Sequence, residues 1–370
     1  MATYGPEPTT PEADAAPATS AGQSRAGAAG PGQNARGATG ATGATTAGQS
    51  ATGATGATGP GQRSPGPGQI HGTGDQAPAP FGSAAGPSQP ARPRPRPTAP
   101  SIRSAKSSGR PLVMVTAYDA PTARVADAAG VDLILVGDSL AMVVLGYDDT
   151  LHVTVDDIAH HTAAVARAKP HPMVVADMPW LSYHTGTTDA VRNAAALVRA
   201  GAAAVKLEGG RKRLPVIEAI IDTEIPVMGH LGLTPQSFHA MGGFKVQGKD
   251  MEAAKALVDD ARALAAAGCF SIVLEGIPDV VAQLITESVD VPTIGIGAGP
   301  HCDGQVLVWH DVLGFDDQRP PKFVRRYAAL QADASAALSR WVDDVRAGRF
   351  PDDSESYHLA AHAVPALVNN

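Results

Sequence analysis

The chain has 370 residues and a formal net charge of −7, a balance that argues against a nucleic-acid protein. No apolar run reaches the 18 or so residues that a membrane helix needs, and the start MATYGPEPTT has neither the basic nor the apolar stretch of a secretory signal. Two cysteines, Cys269 and Cys302, are too few for a disulfide framework or a cysteine zinc site, so a cytoplasmic protein is expected.

The 40 Gly and 31 Pro make about 19% of the chain, against about 12% in average usage, and they are concentrated at the N-terminus. Residues 1–100 contain no Leu, Val, Trp, Cys or Lys, and their only bulky apolar side chains are Met1, Tyr4, Ile70 and Phe81. Such a segment buries too little surface to offset an ordering entropy of roughly 1–2 kcal/mol per residue, so it is expected to be a disordered extension. It holds Gly-Ala-Thr repeats at 37–45 and 53–58 and an Arg-Pro run at 92–97. Glycine at every third place resembles collagen, but the phase breaks at Thr46 and the runs are short. Six Arg against four acids make the extension weakly basic, too sparsely charged to name a partner.

From residue 101 the composition becomes globular. Short apolar runs fall at 112–116, 133–136, 173–176, 204–207, 226–228, 271–274, 293–296 and 306–309. Helical periodicity lies between them, at 121–129, 155–168, 189–200, 214–221, 251–267 and 278–289, with a long final pattern over 323–347. Strands alternating with helices imply right-handed parallel βαβ units, and buried parallel strands read as continuous apolar runs. Eight units in about 250 residues predict a (β/α)8 TIM barrel over 101–360, with 361–370 as a C-terminal tail. A doubly wound open sheet is the rival and fits eight units less well. Gly130, Gly201 and Gly268 each follow a helical pattern where a C-cap glycine belongs.

In such a barrel the chemistry sits at the C-terminal ends of the strands. The second run leads into Asp138 and Ser139, and the third into Asp177. The fourth carries Lys206 and leads into Glu208. The fifth leads into His230 and the sixth into Glu275. One Asp after a strand is most often a helix cap. Repetition around one rim is harder to attribute to capping. Asp138, Asp177, Glu208 and Glu275 would repel one another unless neutralised, and a hard divalent cation held by carboxylates and substrate oxygens would do so. The pattern therefore points to a metal-assisted enzyme acting on a carbonyl compound.

Other features read as structural. Gly295-Ile-Gly-Ala-Gly299 has its third Gly misplaced for a dinucleotide fingerprint, and its amides are expected to line the barrel mouth, where loops after strands seven and eight often take an anion. His301, Cys302 and Asp303 are adjacent, and three neighbours seldom converge on one ion. His160 and His161 diverge around a helix axis. Met114, Met142, Met173 and Trp309 fit core packing.

The motifs VTAYDAPTA, VGDSLAMVVLG, TVDDIAHHTAAV, VADMPW, RAGAAAVKLEGG, VMGHLGLTPQS, GGFKVQG, VLEGIP, PTIGIGAG and DGQVLVWHDVLG stand in that order. Together they resemble the ketopantoate hydroxymethyltransferase family over about residues 103–358, and none lies in 1–100. The resemblance implies a (β/α)8 barrel, usually a homodecamer. It implies transfer of a hydroxymethyl group from 5,10-methylenetetrahydrofolate to 3-methyl-2-oxobutanoate through a metal-stabilised enolate, in pantothenate synthesis. The implied cofactor is one Mg²⁺ per subunit, held by Asp138 and Asp177, with Glu208 completing the site directly or through water. Ser139 and Lys206 would bind the oxo acid, His230 would line its pocket, and Glu275 would transfer the proton. Neither nucleic acid nor membrane is an expected partner. Ala141, His152 and Trp180 depart from the family's usual Gly, Pro and Phe. The alternatives are another Mg-dependent lyase or mutase of the phosphoenolpyruvate/pyruvate barrel type, and a scaffold protein using the repeat-rich tail. The GHLGLTPQS and GGFKVQG motifs disfavour the first and the intact carboxylate set disfavours the second.

Overall fold

The computed structural model describes residues 95–316 and 319–359. The disorder expected of the N-terminal extension, through residue 94, and the tail expected at 361–370 lie outside the described residues.

Eight parallel strands close in sequence order: β1 (Leu112–Thr116), β2 (Leu133–Val136), β3 (Met173–Asp177), β4 (Ala204–Glu208), β5 (Val227–Gly232), β6 (Ser271–Glu275), β7 (Thr293–Ile296) and β8 (Gly304–Leu307). The expected barrel is present. Closure comes from β8 pairing with β1, Gly304 against Leu112 and Leu307 against Val115. The long helices between strands are α2 (Ala120–Ala129), α4 (Val155–Arg167), α5 (Thr187–Arg199), α6 (Leu214–Ile221), α8 (Met251–Ala266) and α9 (Asp279–Ser288). Short helices α3 (Leu140–Val143), α7 (Phe238–Met241) and α10 (Trp309–Leu313) follow β2, β5 and β8. Gly130, Gly201 and Gly268 take φ of +79°, +115° and +98°, the left-handed turn that ends a helix without a Cβ clash.

Helix α1 (Ala99–Ser108) begins before residue 101 because Thr98 caps it, accepting a hydrogen bond from the Ser101 amide. Its Ala99, Ile102 and Ala105 are buried in one apolar cluster with Met114, Leu133, Met173 and Phe270, which closes the barrel interior. A second cluster fills the space between strands and outer helices.

The long final helix differs from expectation. Only α11 (Leu330–Arg346) is helical, and residues 323–329 are not. Tyr327 spends its amide on the Val312 carbonyl and Gln331 on that of Gly314, so this stretch is tied to α10 instead of winding on itself. Helix α11 has no buried residue, and its Leu338 and Trp341 are exposed. On the barrel wall Val113 of β1 and Gln305 of β8 are likewise exposed.

Barrel closure depends on a missing side chain. A Cβ at Gly304 would lie 2.5 Å from the Leu112 carbonyl oxygen and 2.8 Å from its Cβ, across the β8–β1 seam. Gly304→Ala is expected to destabilise the fold by about 3 kcal/mol, the upper end of ordinary overpacking. Gly109→Ala, where φ is +65° but nothing lies within 4 Å, is expected to lose about 1 kcal/mol from backbone strain alone. Urea unfolding of the two variants side by side reads the difference.

Candidate active site

At the C-terminal ends of the strands a cavity of about 170 Å³ is lined by Asp138, Ser139, Asp177, Lys206, Glu208, His230 and Glu275. All seven residues selected from the sequence are thus brought together. Register does this. Asp177 lies opposite Lys206, Glu208 opposite His230, and Gly232 opposite Glu275. Lys206 and Glu208 are two apart on one strand, so both face inward.

Asp138, Asp177, Lys206, Glu208 and His230 are buried and Glu275 is half-buried. Lys206 Nζ lies 2.8 Å from Asp177 Oδ1, and Asp177 Oδ2 accepts a hydrogen bond of 2.9 Å from the Asp138 amide. Burial would lower the Lys206 pKa, but Asp177, Glu208 and Asp138 outweigh it and hold the ammonium charged. Burial, then the charges of Asp177 and Glu208, push the Asp138 carboxyl well above its usual range. His230 Nδ1 lies 3.3 Å from Lys206 Nζ and 3.4 Å from Glu208 Oε1, and its Nε2 lies 3.3 Å from Glu275 Oε2. Burial and Lys206 oppose its protonation, yet the contacts with Glu208 and Glu275 lift its pKa to about 9. Ser139 Oγ shares a hydrogen bond of 2.9 Å with the Tyr118 hydroxyl.

The site holds more negative charge than Lys206 and His230 can balance. Asp177 Oδ1 and Glu208 Oε1 are buried, and their described contacts are ionic, with Lys206 and His230. Buried acids in excess of these two cations, beside a carboxyl whose ionisation the other acids oppose, fit a divalent cation. Among the described residues no three His, Cys, Asp or Glu side chains form a ready cage.

Two residues escaped the strand reading because they come from loops. Gln236, six residues beyond His230, is buried at the centre of the carboxylates. Its Nε2 donates to Asp138 Oδ2 at 2.8 Å and to the Met178 carbonyl at 3.0 Å, and its amide donates to Glu208 Oε2 at 3.1 Å. Its Oε1 accepts from the Tyr183 hydroxyl at 2.6 Å. The one available signal was its place in the GHLGLTPQS motif. Met142 lines the cavity instead of the core, whereas Met114 and Met173 are buried. Of the departures, Ala141 is buried, His152 stacks on Tyr147 with ring centroids 4.5 Å apart, and Trp180 is exposed. Asp303 is engaged by Lys106 at 2.8 Å and by the Thr293 amide at 2.8 Å, a structural tie and not part of a metal trio.

The family model for ketopantoate hydroxymethyltransferase matches residues 96–353. The 3-methyl-2-oxobutanoate hydroxymethyltransferase 2 of Bradyrhizobium diazoefficiens is 54% identical over 278 residues, 75% of this chain and 95% of that protein. The 3-methyl-2-oxobutanoate hydroxymethyltransferase of Methylobacterium sp. (strain 4-46) is 55% identical over 270 residues, 73% of this chain and 94% of that protein. A solved 2,3-dimethylmalate lyase, 20% identical, covers 74% of this chain and 99% of its own with a TM-score of 0.47.

Gln236→Leu preserves volume but strips the donor from Asp138 and the acceptor from Tyr183. Leaving a buried polar group without its partner costs about 1–3 kcal/mol, so a loss of that order is expected in urea unfolding. Tyr183→Phe, which removes only the hydroxyl, is expected to lose less. Equal stabilities for both variants and the wild type would show that the Gln236 amide holds nothing.

Proposed function

Because the chain belongs to the ketopantoate hydroxymethyltransferase family, we propose that it transfers a hydroxymethyl group from 5,10-methylenetetrahydrofolate to 3-methyl-2-oxobutanoate, giving 2-dehydropantoate for pantothenate synthesis. The supporting observation is the convergence of four carboxylates, Lys206 and His230 in one cavity of a chain more than half identical to proteins named for this reaction. A lyase or mutase of the same barrel type is not favoured by relatives of that identity.

The cofactor is Mg²⁺, one per subunit. When bound it draws electron density from the keto group, which acidifies the C3 proton of the oxo acid. Asp138 and Asp177 would hold it, with Glu208 completing the site directly or through water. Lys206, fixed by its ion pair with Asp177, offsets the negative charge of the substrate. Ser139, oriented by Tyr118, addresses the substrate carboxylate. Glu275 takes the C3 proton. It is the least buried of the four acids, and its neighbour His230 orients it and accommodates the charge. Carbon C3 then bonds to the methylene carbon, the methylene–nitrogen bonds break, water supplies the hydroxyl oxygen, and tetrahydrofolate leaves.

The working form is a homo-oligomer, a decamer by family resemblance. Helix α11 with no buried residue, and the exposed outer face of β1 and β8, support a second copy as cover. No described helix is long and apolar enough to cross a membrane. By family resemblance the reaction is assigned to the cytoplasm, with small molecules as partners.

An assay with both substrates is expected to consume the oxo acid and release tetrahydrofolate, with loss of rate in EDTA and recovery on adding Mg²⁺. No folate-dependent consumption by the wild type would overturn the assignment. Glu275→Gln keeps size and hydrogen bonding but not proton exchange, so kcat is expected to fall about 10²–10⁴-fold. Exchange of the C3 proton for deuterium without folate, followed by NMR, should slow with it. Exchange at the wild-type rate would move Glu275 to the folate half of the reaction.

A further inference from the structure

Asp311 is a carboxylate of the same cavity to which the reaction above gives no task. It lies in α10, directly after β8, on the side of Tyr118 and Ser139. The Tyr118 hydroxyl feels the charges of both Asp311 and Asp138. Around the barrel, β8 is three strands from β5, which carries His230. The Asp311 side chain makes no hydrogen bond or ion pair among the described residues. Burial, with the charge of Asp316 added, pushes its carboxyl up to about 6, and Arg326 only partly opposes this. A half-buried carboxylate without donors destabilises the protein that keeps it, unless a ligand brings the donors.

The oxo acid cannot be that ligand. Its carboxylate and keto group are acceptors, and its charge is negative. The folate glutamate tail is also anionic. Only the pterin ring of the co-substrate presents a donor edge, with its 2-amino group and N3–H side by side. Two parallel N–H donors match the two oxygens of one carboxylate, as in a guanidinium–carboxylate pair. Apolar side chains suited to a flat ring line the same cavity, among them Val308, Phe323, Phe244 and Met142.

We propose that Asp311 is the pterin-recognition residue, its two carboxylate oxygens accepting from the 2-amino group and N3–H of the folate co-substrate while the neighbouring apolar side chains meet the ring. This rests on the folate assignment made above. It places recognition of the one-carbon donor at the β8 rim, apart from the acids that act on the oxo acid.

The test uses the full-length chain and Asp311→Asn, which keeps size but turns a donor toward the ring's donors. The KM for 5,10-methylenetetrahydrofolate is expected to rise tenfold or more. The KM for the oxo acid and its folate-free C3 deuterium exchange should stay within twofold. The melting temperature at pH 8 should equal or exceed that of the wild type, because an unpartnered buried charge is gone. A 2-desamino analogue of the co-substrate supplies a second measurement. It should lose affinity for the wild type and far less for the variant. A folate KM within twofold of wild type, or exchange falling as far as turnover, overturns the proposal. Failure of the folate assignment looks different, since the wild type itself would then release no tetrahydrofolate.

Discussion

The ion pair between Lys206 and Asp177 is the interaction on which the site depends. Both side chains are almost fully buried, and their charged atoms are 2.8 Å apart. Removing two charges from water is expensive, and the pair is tolerated only where further polar contacts complete it. Here the Asp138 amide donates to the other Asp177 oxygen, and Gln236 donates to Asp138 and Glu208. The pair fixes an ammonium in the middle of the acids and keeps it protonated. It also leaves the acids in excess, a balance that the proposed cation would complete. Breaking the pair would leave one charge buried alone, a change worth several kcal/mol in either direction of substitution.

The barrel makes such a concentration of charge affordable by separating functions along the strand axis. The ends of the strands near α1 are held by an apolar interior, where Ile102, Leu112, Met114 and Phe270 contribute to one cluster. The opposite ends carry the charged residues. The register of β3 on β4 and of β4 on β5 fixes the spacing of Asp177, Lys206, Glu208 and His230 without any loop. These four groups are therefore positioned by backbone hydrogen bonds, among the stiffest parts of the fold. Asp138, Ser139 and Gln236 come from the loops and helix starts just beyond, and need the side-chain hydrogen bonds described above to hold their places.

That division explains what could be read in the sequence. Apolar runs marked all eight strands, most cleanly where a strand is buried on both faces, as β2 and β3 are. The residue at or just after the end of a run then marked the mouth, and Asp138, Asp177, Glu208 and Glu275 selected in this way do line one cavity with Lys206 and His230. Gln236 and Tyr183 were not legible in this way. Their roles depend on where loops return, which no local period encodes. The stretch at 323–329 failed for a related reason. Its composition suits a helix, but the amides of Tyr327 and Gln331 bond to carbonyls of α10 and its cap. Tertiary hydrogen bonds outweighed a weak local propensity. The same displacement brings Phe323 against Gly297, where a Cβ would come within 2.8 Å of the ring, and so builds part of the cavity wall.

The carboxylates of the cavity therefore differ in kind, although all are acids at one rim. Asp138, Asp177 and Glu208 each accept a hydrogen bond from a neighbouring group, and Glu275 faces His230. Their geometry is set before any ligand arrives, as groups that must polarise or deprotonate a small substrate require. Asp311 has no such partner. A pre-set acid serves chemistry at a defined atom. An unsatisfied one serves recognition, because its free energy falls only when a ligand supplies donors. The two reactants divide in the same way. The oxo acid offers acceptors and needs cations and a base, while the pterin offers donors and needs a carboxylate. On the reading proposed here, one cavity sorts them by that difference, with Asp138, Asp177, Glu208 and Lys206 taking the first and the β8 rim taking the second.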